Sequence, residues 1–274
     1  ASLSAAFMLL RIPLSIAWIL CLCIVLLVRG TFGFDEAHCV SSNLCVDPTM
    51  ADVVTPSPLL SSIATREELL SAGYMTAAKL ADHWRSVEQS APGSAIPFYD
   101  NYRAGEPYAS LNNWFMHTEF SFQVPPLMLP AGFPSPVECS TSEKAIMLCK
   151  AAVMGDRKSY DAISSTEDGA ELQRLGRAVQ PYDRELWRAV VCAVADAAIY
   201  QKFAKVPGLA EELLATGDRL IVEAHPTDSI WGIGMGVESG EENYGAPAKW
   251  KGTNIAGWAL MEARKRLQSE RAAL

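Results

Sequence analysis

Thr141-Ser142-Glu143, followed seven positions later by Lys150, is the part of this sequence best equipped for chemistry. A helix opening at Ser140 puts the carboxylate and the ammonium two turns apart on nearly one face, roughly 10 Å between backbone positions. Side chains so placed can line one cleft. A carboxylate under a carbon that is losing its leaving group stabilises the growing positive charge and orients an attacking water. The same residues have a plain alternative: Ser140-x-x-Glu143 fits a capping box, in which the glutamate reaches back to a backbone N–H and does no chemistry. Lys150 sits in the apolar run Met147–Ala152, which argues against a merely solvated lysine.

Further polar residues cluster toward the C-terminus. Leu220-Ile221-Val222 reads as a short strand with Glu223 at its end, either a second active-site carboxylate or a salt-bridge partner. Asp228 and Trp231 follow in a glycine-containing loop, a natural setting for a polar reader and a base-stacking aromatic. Gly232-x-Gly234-x-Gly236 has no helix directly behind it, so a dinucleotide-binding turn is not supported. Arg177 and Lys202 are phosphate-binding candidates or surface charges, and Asn254 either meets sugar hydroxyls or caps the last helix. His117 and His225 stand isolated, and no C-x-x-C or Cys/His spacing predicts a metal set.

The elements that must position these residues are mostly helical. The pattern predicts helices from Ser140 to Met154, Glu171 to Val179, Asp183 to about Val206, Leu209 to Ala215 and Ile255 to Gln268. Phe115 to Val137 is rich in proline and reads as an extended, packed loop with short strands. The expected class is α+β, mainly α, with a small β-sheet.

In this order the motifs resemble the YbiA-like, or NADAR, family of N-glycosidases. The resemblance runs from about Phe98 to Leu267. It is carried by Thr141-Ser142-Glu143 with Lys150, Leu175-Gly176-Arg177, Trp187, Lys202-Phe203, Val222-Glu223, Asp228 with Trp231-Gly232-x-Gly234, and Asn254 with Gly257. Asn112-Asn113-Trp114 is similar to the family's Ser-Asn-Phe element. The sequence departs from the pattern at Lys144, where the family often has histidine, and in two longer loops, Asn113–Glu143 and Gly236–Asn254.

The resemblance implies hydrolysis of a ribose-to-nitrogen bond without metal or other cofactor. Substrates in the family are ribosylaminopyrimidine phosphates of riboflavin synthesis and ADP-ribose linked to guanine. It implies catalytic roles for Glu143, Lys150 and Asp228. Substrate contacts would come from Asn113, Trp114, Arg177, Lys202, Glu223, Trp231, Gly232 and Asn254. The competing expectation is a module that binds NAD or ADP-ribose and turns nothing over.

Composition bounds the partners and the architecture. The net charge of -8 argues against a nucleic-acid coater, and Lys249, Lys251, Lys265 and Arg266 form the one candidate basic rim. The uncharged run Ile12–Val28, between Arg11 and Arg29, reads as a short membrane anchor rather than a cleaved signal. Met50-Ala51-Asp52 offers a second reading, in which residues 1–49 are a spurious leader and the protein is cytoplasmic. The expected organisation is a hydrophobic segment over 1–33, a linker with short helices over 34–95 and a family domain over 96–270.

Overall fold

The longest run of helically spaced apolar residues becomes the longest described helix. In Arg184–Lys205, buried Leu186, Trp187, Val190, Val191, Val194, Ala195, Ala198 and Ile199 recur at helical spacing. Asp183 opens that helix by accepting the backbone N–H of Leu186 at 3.0 Å. The structure is a computed structural model that describes residues 64–87, 93–101 and 103–273. The apolar run Ile12–Val28 lies outside the described residues. Among those that are described, no helix is long and apolar enough to cross a membrane.

In chain order the helices are α1 (Arg66–Ser71), α2 (Ala77–Ser86), α3 (Ser142–Val153), α4 (Arg157–Ser164), α5 (Gly169–Ala178), α6 (Arg184–Lys205), α7 (Leu209–Leu214), α8 (Glu241–Tyr244) and α9 (Ile255–Ala272). The strands are β1 (Ala95–Phe98), β2 (Phe120–Phe122), β3 (Val137–Cys139) and β4 (Leu220–Glu223). Buried side chains of α3, α6 and α9 share one core with Ile96, Phe98 and Ile221. The fold is α+β and mainly helical, as its residue pattern predicts.

The strands form two pairs rather than one sheet. β1 and β4 run parallel, with Ala95 opposite Leu220 and Phe98 opposite Glu223. β2 and β3 pair antiparallel and bracket the proline-rich loop, with Phe120 opposite Cys139.

Two features differ from the sequence reading. Residues 64–87, expected within a linker, belong to the folded body: Leu69, Leu80 and Trp84 are buried in the common core. The indole Nε1 of Trp84 donates to the carbonyl of Thr253 at 2.6 Å, and Arg66 pairs with Asp183 at 2.6 Å. The second feature is α4, a helix that the sequence reading did not include. Only Ser159, Tyr160 and Ile163 are buried along it, and Asp156 caps it by accepting from the N–H of Ser159 at 3.0 Å.

Candidate active site

Parallel strands end side by side, and here that register builds one wall of a cavity. Phe98 and Glu223 are partners, so the residues just beyond them, Tyr99 and His225, meet with ring centroids 4.5 Å apart. The cavity beside them has a volume of about 720 Å³. Tyr99, Asn112, Trp114, Thr141, Glu167, Glu223 and His225 are in its lining. Sites at the carboxyl ends of parallel strands are common because loops there converge without backbone pairing obligations.

The first turn of α3 forms the adjoining wall, and it resolves the question of the capping box. Thr141, not Ser140, is the N-cap, and its hydroxyl accepts the N–H of Lys144 at 3.2 Å. The N-cap therefore falls one residue later than the capping-box reading requires. Glu143 falls at the second helical position, outside the capping pattern. Its own backbone N–H donates to the carbonyl of Asn113 at 3.1 Å, while Ser142 Oγ donates to Asn113 Oδ1 at 3.0 Å. Asn113 is thus a dock for the helix start, and it carries Trp114 to the cavity wall.

Three carboxyl groups act on one another electrostatically around that helix start: Glu143, Glu223 and Asp228. Glu223 is the member of the trio that lines the cavity, and its Oε2 is buried without a hydrogen-bond partner. Burial, with Asp228 and Glu143 adding negative charge, pushes the Glu223 carboxyl up to about 8. Burial also pushes Glu143 up to about 7; Asp228 adds to the rise and Lys150 opposes it. At neutral pH the trio therefore holds at least one proton, because several anions in one poorly hydrated place cost too much. Among the described residues no group of three His, Cys, Asp or Glu side chains is arranged to hold a metal ion.

Asp228 has a second task. Its Oδ1 accepts the backbone N–H groups of Ile230 and Trp231 at 2.7 and 2.9 Å, which folds the loop back on itself. Trp231 packs partly buried against the core. Gly232 is required by close approach: a Cβ there would stand 2.8 Å from the carbonyl oxygen of Glu223 and 2.9 Å from His225 Cβ.

The structure sorts the remaining sequence candidates. Lys150 Nζ donates to the carbonyl of Gly176 at 2.6 Å and lies 5.0 Å from the Tyr182 ring centroid. It therefore acts on Glu143 through space rather than as a bonded partner. Burial lowers the Lys150 ammonium from its ordinary value, with Glu143 opposing the shift. Arg177 is exposed in the last turn of α5.

Lys202 is not placed as a phosphate ligand. It is 1% exposed and donates to the carbonyls of Ser110 and Asn112 at 2.7 and 3.0 Å. Desolvation lowers this ammonium to about 7. Its work is to hold the loop that delivers Asn112, Asn113 and Trp114. Asn254 neither caps α9 with its side chain nor faces the cavity lining. It is fully buried at φ 49°, and its amide bonds the backbone of β4.

Glu167, Lys144, Tyr99 and His225 are site residues the sequence reading did not select. Lys144, 2% exposed, forms an ion pair with Glu167, whose other oxygen receives the Ser140 hydroxyl. His225 Nδ1 accepts backbone N–H groups from Thr227 and Asp228 at 3.2 and 2.9 Å, which assigns the proton of the neutral ring to Nε2. A lysine in the first turn of a helix was the one available signal, since the positive end of the helix disfavours a cation there.

A helical α+β domain with an acidic cleft at the ends of two parallel strands is the class this architecture defines. The NADAR domain family matches residues 98–268, and the chain belongs to that family. The chain is 32% identical over 134 residues to N-glycosidase R617 of Acanthamoeba polyphaga mimivirus, spanning 48% of this chain and 76% of that protein. It is 33% identical over 99 residues to N-glycosidase Npun_R5314 of Nostoc punctiforme, across 36% of this chain and 55% of the relative. Riboflavin biosynthesis protein VVA0006 of Vibrio vulnificus is 30% identical over 113 residues, 41% of this chain and 27% of that protein. The NMR structure of Escherichia coli YbiA aligns at a TM-score of 0.49 and 23% identity, covering 69% of this chain and 93% of YbiA.

Proposed function

We propose that this chain is an N-glycosidase that hydrolyses the bond between a ribose anomeric carbon and the nitrogen of a nucleobase-like group. The observation that carries the reading is the acidic trio beside the cavity, with Glu223 lining it and Glu143 released from any capping duty. Family membership and the two relatives named N-glycosidase support the same reaction class. The substrate is a ribosylaminopyrimidine phosphate or an ADP-ribosyl-guanine type of compound.

The chemistry follows from which carboxyl keeps its proton. With its carboxyl pushed up to about 8, Glu223 enters the reaction neutral and gives its proton to the leaving nitrogen. The C–N electron pair departs with that nitrogen. Positive charge then grows on the sugar carbon, and the carboxylates of Glu143 and Asp228, beside the cavity, stabilise it through a poorly hydrated site. Water adds to the carbon, and its proton passes to a carboxylate of the trio, so atoms and charge balance. Lys150 tunes Glu143, keeping part of its population ionised near neutrality.

The test is release of free base from a ribosylaminopyrimidine phosphate by wild type, Glu143→Gln and Glu223→Gln. Each variant is expected to lose on the order of 10²- to 10⁴-fold in turnover, the usual worth of a positioned acid or base. Wild type that binds this compound and an ADP-ribosyl-guanine compound tightly and releases base from neither would instead support a silent binding module.

A further inference from the structure

The Lys144–Glu167 pair stands outside the acidic trio, and the proposed reaction makes no use of it. Lys144 is on α3, 2% exposed, and Glu167 lies in the loop between α4 and α5. A buried ammonium without a counter-ion is strongly destabilising. The position of the Glu167 carboxylate is therefore dictated from below. Lys144 occupies Oε1, while Oε2 takes the Ser140 hydroxyl and, at 3.3 Å, the Ser140 backbone N–H.

A carboxylate has about four acceptor positions. Three are filled here, and the fourth belongs to Oε1 of a residue that lines the cavity with its side chain 34% exposed. Trp114 lines the same cavity and packs on the next turn, so close that a Cβ on Gly169 would lie 3.2 Å from its ring. An indole and one fixed acceptor thus line the same cavity, the indole packed against a residue two positions from the acceptor. That geometry suits a flat heterocycle carrying an N–H donor, more than a sugar, whose hydroxyls are not coplanar with the stacking face.

We propose that Glu167 is a specificity-determining residue, accepting a hydrogen bond from an exocyclic amino group of a heterocycle stacked on Trp114, and that Lys144 is the positioning residue that holds it. The proposal rests on the glycosidase reading only for the substrate class. Its central measurement is binding, so the two stand or fall separately.

The experiment compares an aminopyrimidine ribosyl phosphate with its deamino counterpart, in which hydrogen replaces the exocyclic amino group. Affinities are read by calorimetry on the full chain carrying Glu143→Gln, and on the same protein with Lys144→Met and Glu167→Met added. Replacing both members of a buried ion pair by apolar side chains is often neutral for stability. With Glu167 present, the amino compound should bind about 10- to 100-fold more tightly, the worth of one hydrogen bond to a charged group. In the paired Met variant the two affinities should become equal, through weaker binding of the amino compound alone.

Equal affinity for both compounds with Glu167 intact overturns the proposal, whether or not the paired variant folds. So does a preference that survives in a folded paired variant, or equal weakening of both compounds, which is the mark of a purely structural pair. Preferential binding without base release by wild type refutes the hydrolase reading and leaves this one standing. Base release from both compounds at equal kcat/KM does the reverse.

Discussion

The side chain of Asn254 holds the backbone of Glu223. Its Oδ1 accepts the Glu223 N–H at 2.9 Å and its Nδ2 donates to the Ile221 carbonyl at 3.0 Å, so one amide extends β4 as a neighbouring strand would. β4 pairs with β1 on its other side. The carboxyl that lines the cavity is therefore fixed from both edges of its strand, by β1 through main-chain pairing and by α9 through a single side chain. Asn254 reaches it because its backbone turns through the left-handed region, at φ 49°.

Asn254→Ala removes both buried bonds and leaves a Cβ residue at that positive φ without the local bonding that suits asparagine there. Unpaired buried groups cost about 1–3 kcal/mol each, so the expected loss is roughly 3–5 kcal/mol. Asn254→Gly keeps the turn and loses only the bonds. A urea titration of both variants separates the two causes: glycine should unfold at a higher midpoint than alanine. Equal midpoints would show that the turn itself is unstrained.

The rate should depend on pH through the trio. The proposed reaction uses Glu143 ionised and Glu223 protonated, with the first pushed up to about 7 and the second to about 8. A bell-shaped kcat/KM profile is expected, rising through about 7 and falling through about 8. Glu223→Gln should abolish the falling limb, and Glu143→Gln the rising one. A substrate with a more acidic leaving nitrogen should recover activity in Glu223→Gln alone, since only that variant lacks the proton donor. Rescue of both variants to the same degree would deny the two acids separate roles.

Much of this arrangement was legible in the sequence, and the part that was not has a common cause. The long helix α6, the short strand before Glu223 and the loop with Asp228 follow from local patterns, because period and turn chemistry act over a few residues. Asn254 and Lys202 were recognised as important polar positions, yet their roles lie in bonds across 31 and 90 or more residues of sequence. The Lys144–Glu167 pair spans 23 residues and depends on how the start of α3 meets the loop before α5. Burial of a polar side chain is a tertiary fact. Residue type alone left Asn254 open between a sugar contact and a cap and Lys202 between a phosphate contact and a surface charge, and it did not select Glu167.

Stability should also respond to pH, with opposite signs in two windows. The two glutamates hold protons more tightly folded than unfolded, where carboxyls titrate at about 4.3. Between there and about 8 the folded state binds more protons, so their contribution to stability is complete at low pH and is lost as pH rises. Lys202, lowered to about 7, acts in the opposite sense: above that pH the unfolded chain binds more protons, and stability is regained toward about 10.4. Urea unfolding measured from pH 5 to 10 should show the decline flattened in the Glu143→Gln, Glu223→Gln double variant. The later rise should vanish in Lys202→Met. An unchanged decline in the glutamine variant would mean that these carboxyls are well hydrated.

Gly232 tests whether the loop carrying Asp228 must sit tightly on the end of β4. The methyl of Gly232→Ala would meet the carbonyl oxygens of Glu223 and Asp228, at 2.8 and 3.2 Å, and these are backbone atoms that cannot rotate aside. The adjacent Ile233 N–H also donates to that Glu223 carbonyl, at 3.0 Å, so relief requires the loop to lift and the bond to stretch. Overpacking of this kind costs about 1–3 kcal/mol, which a domain with so continuous a core should survive. The displaced Asp228 is a different matter, since a shift of about 1 Å at a reacting centre can cost roughly 100-fold in rate. Gly217→Ala is the control. Gly217 has φ +59° and nothing within 4 Å of the added carbon, so it carries backbone strain without crowding the site. Both variants should lose a few degrees in Tm, but only Gly232→Ala should lose turnover by an order of magnitude or more. Parallel losses in the two would show that general loosening, rather than the seating of Asp228, limits the rate.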